Sequence, residues 1–203
     1  MLDRQLRDEV VTLFIGGFET TSIGLSWALH VLASQPEVDR RVREELDREV
    51  GDRRVTGEDL PRLVVMDAFV KETLRLHSPA WAIGREATES TEICGHRIGA
   101  GTTVIVPIHS IHRDARWYRD PEQFRIDRWL GEEAKTIPKL AWIPFGAGPR
   151  VCIGEGFARM EMSLLLATLL RRLRFETVGD PPTPRPAFLL RPKEGVRLKV
   201  CAP

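Results

Sequence analysis

Apolar residues recur at i, i+3 and i+4 through the first part of the chain: Leu6, Val10, Leu13 and Phe14, then Leu25, Ala28, Leu29 and Leu32. This spacing predicts one long helix over 3–34, stopped by Pro36, because the residue before a proline is pushed out of the helical region. The middle of that helix reads GGFETTS, residues 16–22. Glycines and β-branched threonines are poor formers of a helix interior, so the segment is expected to serve function or close packing. A highly charged second helix follows over 36–50 and ends at Gly51. Thr56-Gly57-Glu58-Asp59 opens a short helical turn, and a third helix over 63–76 ends before Pro79.

From Trp81 the texture changes. The pieces AIGREAT, ESTEICGHRIGA and GTTVIVPI are β-rich and punctuated by Gly95, Gly99 and Gly101, which predicts a small sheet over 81–108. Residues 109–151 keep no sustained period. A long irregular stretch inside a compact domain is uncommon and usually functional. After Gly154, EGFARMEMSLLLATLLRRLRFE predicts a strong amphipathic helix, and the proline-rich tail predicts one or two terminal strands. The fold class is mainly α with small β-sheets. There is no internal repeat and no low-complexity segment.

Composition narrows the function classes. The chain has 203 residues, of which 42% are hydrophobic, enough for a real core. Its 30 basic and 29 acidic residues nearly cancel, so bulk electrostatics give nucleic-acid binding no support. Cys94, Cys152 and Cys201 are too few and too scattered for a disulfide framework and lack metal-finger spacing. A reducing, cytoplasmic setting is expected. Met1 is followed by charged LDRQLRDEV rather than a leader pattern, and no apolar run is long enough to predict a membrane span. The helical pattern is already under way at the first residues with no cap before it, as expected of a chain that begins inside a larger fold.

The densest chemistry lies in FGAGPRVCIG, residues 145–154. Glycines open backbone conformations closed to other residues and allow close approach to a flat partner. A helix starting near Gly154 places amide donors and a positive dipole end beside Cys152, which favours a thiolate able to ligate a metal. Arg150 adds a fixed charge suited to a carboxylate or phosphate. The bland alternative is a cysteine acting as a small buried hydrophobe. A phosphate loop is disfavoured, because no Lys-Ser/Thr follows the glycines.

Phe145, Gly146, Gly148, Arg150, Cys152 and Gly154 resemble, position for position, the haem-binding signature of the cytochrome P450 family. Six fixed positions match by chance about once in 10^8 windows. The resemblance implies haem b, with the Cys152 thiolate as the proximal ligand of its iron. GGFETT is similar to the family's distal-helix motif, which implies Glu19 and Thr20 as an acid–alcohol pair holding a proton-delivering water chain at the oxygen site. The Thr20 hydroxyl is also placed to back-bond to a carbonyl of its own helix. The alternative for this segment is small-residue helix packing.

Glu72 and Arg75 in KETLR resemble the family's Glu-x-x-Arg motif, and DPEQFRIDRW resembles a later loop motif that adds Arg128. The implied role of these three is a buried structural network, since buried charges persist only when paired. Ile126 and Asp127 depart from the proline and glutamate common at those places. Arg150, Arg85 and His112 are the candidates to meet the haem propionates, although a histidine in HRD can equally hold its loop together. Trp81 and Ile83 line either the substrate side or ordinary core. Arg113 and Arg119 suggest a basic face for an electron donor; the alternative is a solvated charged loop.

The resemblance spans about residues 1–200 and implies one partial domain, 1–203, corresponding to the C-terminal half of the cytochrome P450 fold, with the N-terminal half missing. It implies a haem-thiolate monooxygenase that inserts one oxygen atom from O2 into a small hydrophobic substrate. A redox partner such as a ferredoxin or a reductase would supply the electrons. The rival is a catalytically inactive fragment with weak or no haem binding, because an exposed half-core disfavours folding.

Overall fold

The computed structural model describes residues 3–201. Its helices are α1 (Asp3–Ser34), α2 (Pro36–Glu49), α3 (Val64–Leu76), α4 (Ile108–Ile111), α5 (Glu132–Thr136) and α6 (Glu155–Leu170). The three predicted N-terminal helices and the helix after Gly154 are all present. Pro36 opens α2, where its missing N–H costs nothing. Between α2 and α3, Gly57–Arg62 forms a single 3-10 segment closed by a reciprocal Thr56–Asp59 capping box.

The core lies where α1, α2, α3 and α6 meet. Ala28, Val31 and Leu32 pack with Val42 and Leu46, with Phe69, Val70 and Leu74, and with Met162, Leu166 and Leu170. Each fully buried leucine or valine there contributes about 1.5–3 kcal/mol. Close approach of α1 to α6 occurs at Gly24, where an added Cβ would come within 3.2 Å of the Met162 side chain. Gly16 and Gly17 have open space around them, so they do not serve packing in this structure.

The apolar stripe of α1 divides into two halves. Its C-terminal half is buried as the spacing predicts. Leu6, Val10, Leu13 and Phe14 belong to the same stripe but are exposed, because no element of the described residues covers the N-terminal half of α1. Phe14 and Phe18 stack on each other in the open at a 5.8 Å centroid separation.

The α2–α3 junction is fixed by one buried carboxylate. Glu45 accepts hydrogen bonds from the Val65 and Met66 amides at 2.7 and 2.9 Å. Those amides belong to the first turn of α3 and have no intrahelical partner.

In place of one sheet over 81–108 there are two two-stranded antiparallel ladders, and the C-terminal segment forms two more. Strands β1 (Ile83–Glu86) and β4 (Thr103–Val106) pair with Ile83 opposite Val106, and the hairpin β2 (Thr91–Ile93)–β3 (His96–Ile98) turns between them. At the C-terminus β5 (Arg174–Thr177) pairs with β8 (Leu198–Cys201), and β6 (Pro184–Pro186) with β7 (Leu190–Pro192). The β6–β7 hairpin is tied back by Leu190 N–H to Pro79 O at 2.8 Å and Trp81 Nε1–H to Ala187 O at 2.8 Å. Residues 109–151 are largely irregular as predicted, interrupted by α5 and by short 3-10 turns at Ile126–Trp129, Lys139–Ala141 and Gly148–Arg150.

Candidate haem-thiolate site

The cysteine loop is built by backbone hydrogen bonds around two left-handed glycines. Gly146 (φ 77°) and Gly148 (φ 74°) adopt conformations that cost other residues about 1–2 kcal/mol. Cys152 N–H donates to Phe145 O at 2.9 Å, closing the loop, and Val151 N–H donates to Gly148 O at 3.1 Å. Gly154 then leads into α6, and a Cβ there would lie in ordinary van der Waals contact with the Cys152 sulfur, 3.8 Å from Sγ. The Cys152 thiol is free and exposed at the N-terminal end of α6, so the reading of a buried inert cysteine does not hold. Apolar side chains flank it in sequence and face outward: Val151, Ile153 at 95% exposure, and Phe157. Arg150 is exposed and makes no ion pair among the described residues.

A buried charge network stands behind this loop. Glu72 and Arg75, one turn apart on α3, form a bidentate pair with both bonds at 2.8 Å. Arg128 Nε approaches Glu72 Oε1 at 3.4 Å, and all three side chains are 0% exposed. Arg75 donates onward to the carbonyls of His112, Pro121 and Gln123, and Arg128 to those of Arg119 and Asp120. The two guanidiniums thereby gather five loop carbonyls onto α3. The departures at Ile126 and Asp127 leave this intact: Ile126 is buried, and Asp127 pairs bidentately with Arg41 of α2 at 2.7 and 3.1 Å.

Sequence reasoning missed the aromatic side of this network. Trp129 Nε1–H donates to Glu72 at 2.9 Å, and Glu133 accepts from Arg128 at 3.0 Å. Tyr118 is fully buried beneath both arginines, with ring centroids 4.9 and 5.5 Å from the two guanidinium carbons. Burial raises its hydroxyl pKa above the usual range. The signal was present in the sequence: Tyr118, Phe124, Trp129, Trp142 and Phe145 are too many large rings for a solvated loop.

His112 takes the second of its two expected roles. It is fully buried; Nδ1 donates to Arg75 O at 3.0 Å and Nε2 accepts from Ile143 N–H at 3.0 Å. Both ring nitrogens are committed to backbone, so the expectation that His112 meets a propionate is corrected. Burial pushes its pKa down to about 3 and holds it neutral. Arg113 is corrected likewise: its guanidinium binds Glu122, His109 and Leu76 O at 16% side-chain exposure, which removes it from a docking face. Arg119 is 82% exposed, near Asp120 at 3.7 Å.

Thr20 Oγ1 back-bonds to Gly16 O at 2.7 Å, and α1 continues unbroken through it. Glu19 is half-exposed and 3.9 Å from Arg191. Arg85 lies exposed on β1, and its guanidinium donates to the neighbouring Gly84 carbonyl at 2.8 Å. Trp81 and Ile83 are half-buried. The Ile83 Cδ1 atom lies 3.4 Å from the position of a Cβ on Gly146, so the β1 end borders the cysteine loop.

The model of the family described as "Cytochrome P450" matches residues 1–200. The chain belongs to the cytochrome P450 family. It is 40% identical over 196 residues to "Putative cytochrome P450 132" of Mycobacterium tuberculosis, covering 96% of this chain and 42% of that protein. It is 37% identical over 206 residues to "Cytochrome P450 4V2" of Rattus norvegicus, covering 96% and 38%. It is 38% identical over 176 residues to "Cyclooctat-9-en-7-ol 5-monooxygenase" of Streptomyces melanosporofaciens, covering 87% and 38%. The chain therefore spans about two-fifths of the length of these curated P450 relatives.

The residues present fit the haem of a P450. The donor is one free, exposed thiol beside a helix N-terminus. Left-handed glycines and outward apolar residues at the loop suit a flat apolar face, and Arg150 and Arg85 are exposed cations with no ion pair among the described residues. No described helix is long and apolar enough to cross a membrane.

Proposed function

We propose that this P450 chain is the haem-thiolate portion of a monooxygenase, with Cys152 as the axial ligand. The carrying observation is the free Cys152 thiol presented on a loop closed by the Cys152–Phe145 backbone bond. It corresponds to the C-terminal half of the P450 fold. The bound haem would supply the activation of O2; one oxygen atom enters a C–H or C=C bond of a hydrophobic substrate, and the other leaves as water with two electrons and two protons.

The chain's own residues have separate parts in this reading. The α6 N-terminus favours the anionic form of the sulfur. Arg150 and Arg85 bind the propionates as charge-assisted hydrogen-bond donors. Glu19 and Thr20 hold water and pass protons to the oxygen side. Glu72, Arg75 and Arg128 orient the loop but do not touch the reactants. Arg119 contributes to the face met by an electron donor such as a ferredoxin or reductase.

The test supplies haem, labelled dioxygen, an electron donor and a panel of hydrophobic compounds. Products carrying one labelled oxygen, absent with Cys152→Ala, support the reading; their absence with haem bound overturns it. A second reading is an inactive P450 fragment with weak or no haem binding. It is favoured by the exposed Leu13, Phe14 and Phe18 on α1, a large apolar surface left in water.

A further inference from the structure

A cavity of about 480 Å³ opens where the start of α3, one face of α6 and the turn at Trp129 come together. No residue of the cysteine loop, 145–154, lines it. Its walls are Leu60, Leu63, Val64, Trp129, Leu130 and Met160. A concave site of this size with mainly apolar walls suits a small molecule, provided a few polar groups converge on it.

Two donors reach it from α6. Arg159 and Ser163 line the cavity and stand one turn apart, at i and i+4 on the same helix face. Ser163 is only 9% exposed. Helical hydroxyls elsewhere close onto the carbonyl four residues back, as Ser26 does on Ser22 O at 2.8 Å and Thr168 on Leu164 O at 2.7 Å. On α6 the side chains of Arg159 and Thr168 donate hydrogen bonds, whereas the Ser163 hydroxyl has no partner among the described residues. Arg159 gives one N–H to Asp67 at 2.5 Å, and its Nη1 stands 3.7 Å from Glu155, beyond hydrogen-bond reach. The charges at this rim already balance: Asp67 pairs with Lys71 at 2.8 Å as well as with Arg159, and Glu155 faces Arg159. A ligand carboxylate would meet two carboxylates and a ligand ammonium two cations. An uncharged acceptor meets neither penalty.

We propose that this cavity is a second ligand site, one that binds an uncharged carbonyl compound with a flat apolar body. The body lies among the leucines, Met160 and the Trp129 ring. The carbonyl oxygen accepts from the Ser163 hydroxyl and from Arg159 Nη1–H, which gives a buried donor its missing partner. The site requires neither Cys152 nor haem. Its occupant touches α3 and α6 together, and Gly156, four residues after Cys152, is part of the wall. A bound ligand therefore stabilises the folded chain by mass action and braces the helix that carries the cysteine loop.

The test titrates methyl naphthyl ketone into the isotope-labelled full chain, with no haem added, and follows the indole N–H signals by NMR. Trp129→Phe identifies the Trp129 signal by its loss. The site predicts a saturable shift of that signal, with the signal of Trp117, outside the cavity, unmoved. Val64 and Met160 are 53% and 38% exposed at the rim, so Val64→Trp and Met160→Trp fill the cavity from outside; each abolishes the shift. Arg159→Met with Ser163→Ala weakens the ketone about tenfold or more. Naphthoate, with the same rings and a charge, binds the native chain about tenfold more weakly than the ketone or worse. Phe14→Ser with Phe18→Ser, on exposed α1, leaves the affinity unchanged. No saturable Trp129 shift, an affinity indifferent to both rim variants or to the Arg159–Ser163 pair, naphthoate binding as tight as the ketone, or binding lost with the α1 pair overturns the proposal. Haem uptake plays no part in these outcomes, so a failure here is separable from a failure of the haem-thiolate reading.

Discussion

Glu72 and Arg128, 56 positions apart in the chain, meet in a fully buried ion pair, with Nε 3.4 Å from Oε1. Glu72 also serves Arg75, the Arg125 amide and the Trp129 indole, so one carboxylate holds the loop from four sides. Removing it strands two guanidiniums in the interior. Glu72→Gln is expected to lower unfolding free energy by about 3–5 kcal/mol, read from urea denaturation. A loss of about 1 kcal/mol or less would show that the network is dispensable.

His112 and His77 are both held neutral by burial, each with its pKa pushed down to about 3 from 6.5. Their depressed values mean that the unfolded chain binds protons that the folded chain refuses. Stability is therefore full above the unfolded value and falls as pH drops from about 6.5 toward 3. Well below 6.5 each histidine contributes a slope of about 1.4 kcal/mol per pH unit. Urea midpoints measured from neutral pH down to about pH 5 should decline steadily, and a flat profile contradicts the assignment of both rings as neutral.

Gly148 and Gly57 both have open space for a methyl group, but only Gly148 has positive φ. Gly148→Ala is expected to cost about 1–2 kcal/mol and Gly57→Ala far less. Denaturation of the two variants side by side checks this, and equal effects would mean that the cysteine loop is not conformationally strained for other residues.

The Thr20 hydroxyl is bonded to its own helix at Gly16 O, and α1 runs unbroken past it. Thr20→Ala should change stability by no more than about 0.5 kcal/mol. In the proposed relay role it should nonetheless divert consumed oxygen from product to hydrogen peroxide. Unchanged product per oxygen consumed would remove Thr20 from proton delivery.

The sequence was most legible where neighbours in the chain decide the structure. Helix period, Pro36 and the turn glycines located α1, α2, α3 and α6, and the spacing of FGAGPRVCIG located the cysteine loop. What it hid depends on distant partners. Trp129 reaches Glu72 across 57 positions and His112 reaches Ile143 across 31, and no local period records either. His112 illustrates the cause: its residue type allows ligand or bolt, and only its two backbone partners decide. The α1 stripe failed in the opposite way, since Leu13 and Phe14 have core periodicity but no element against them among the described residues.

The most direct measurement is the carbon-monoxide difference spectrum of the reduced, haem-reconstituted chain beside its Cys152→Ala variant. The account predicts the red-shifted Soret band of a thiolate-ligated iron in the first and its loss in the second. Haem uptake with the same band in both, or no haem uptake by the native chain, contradicts Cys152 as the ligand.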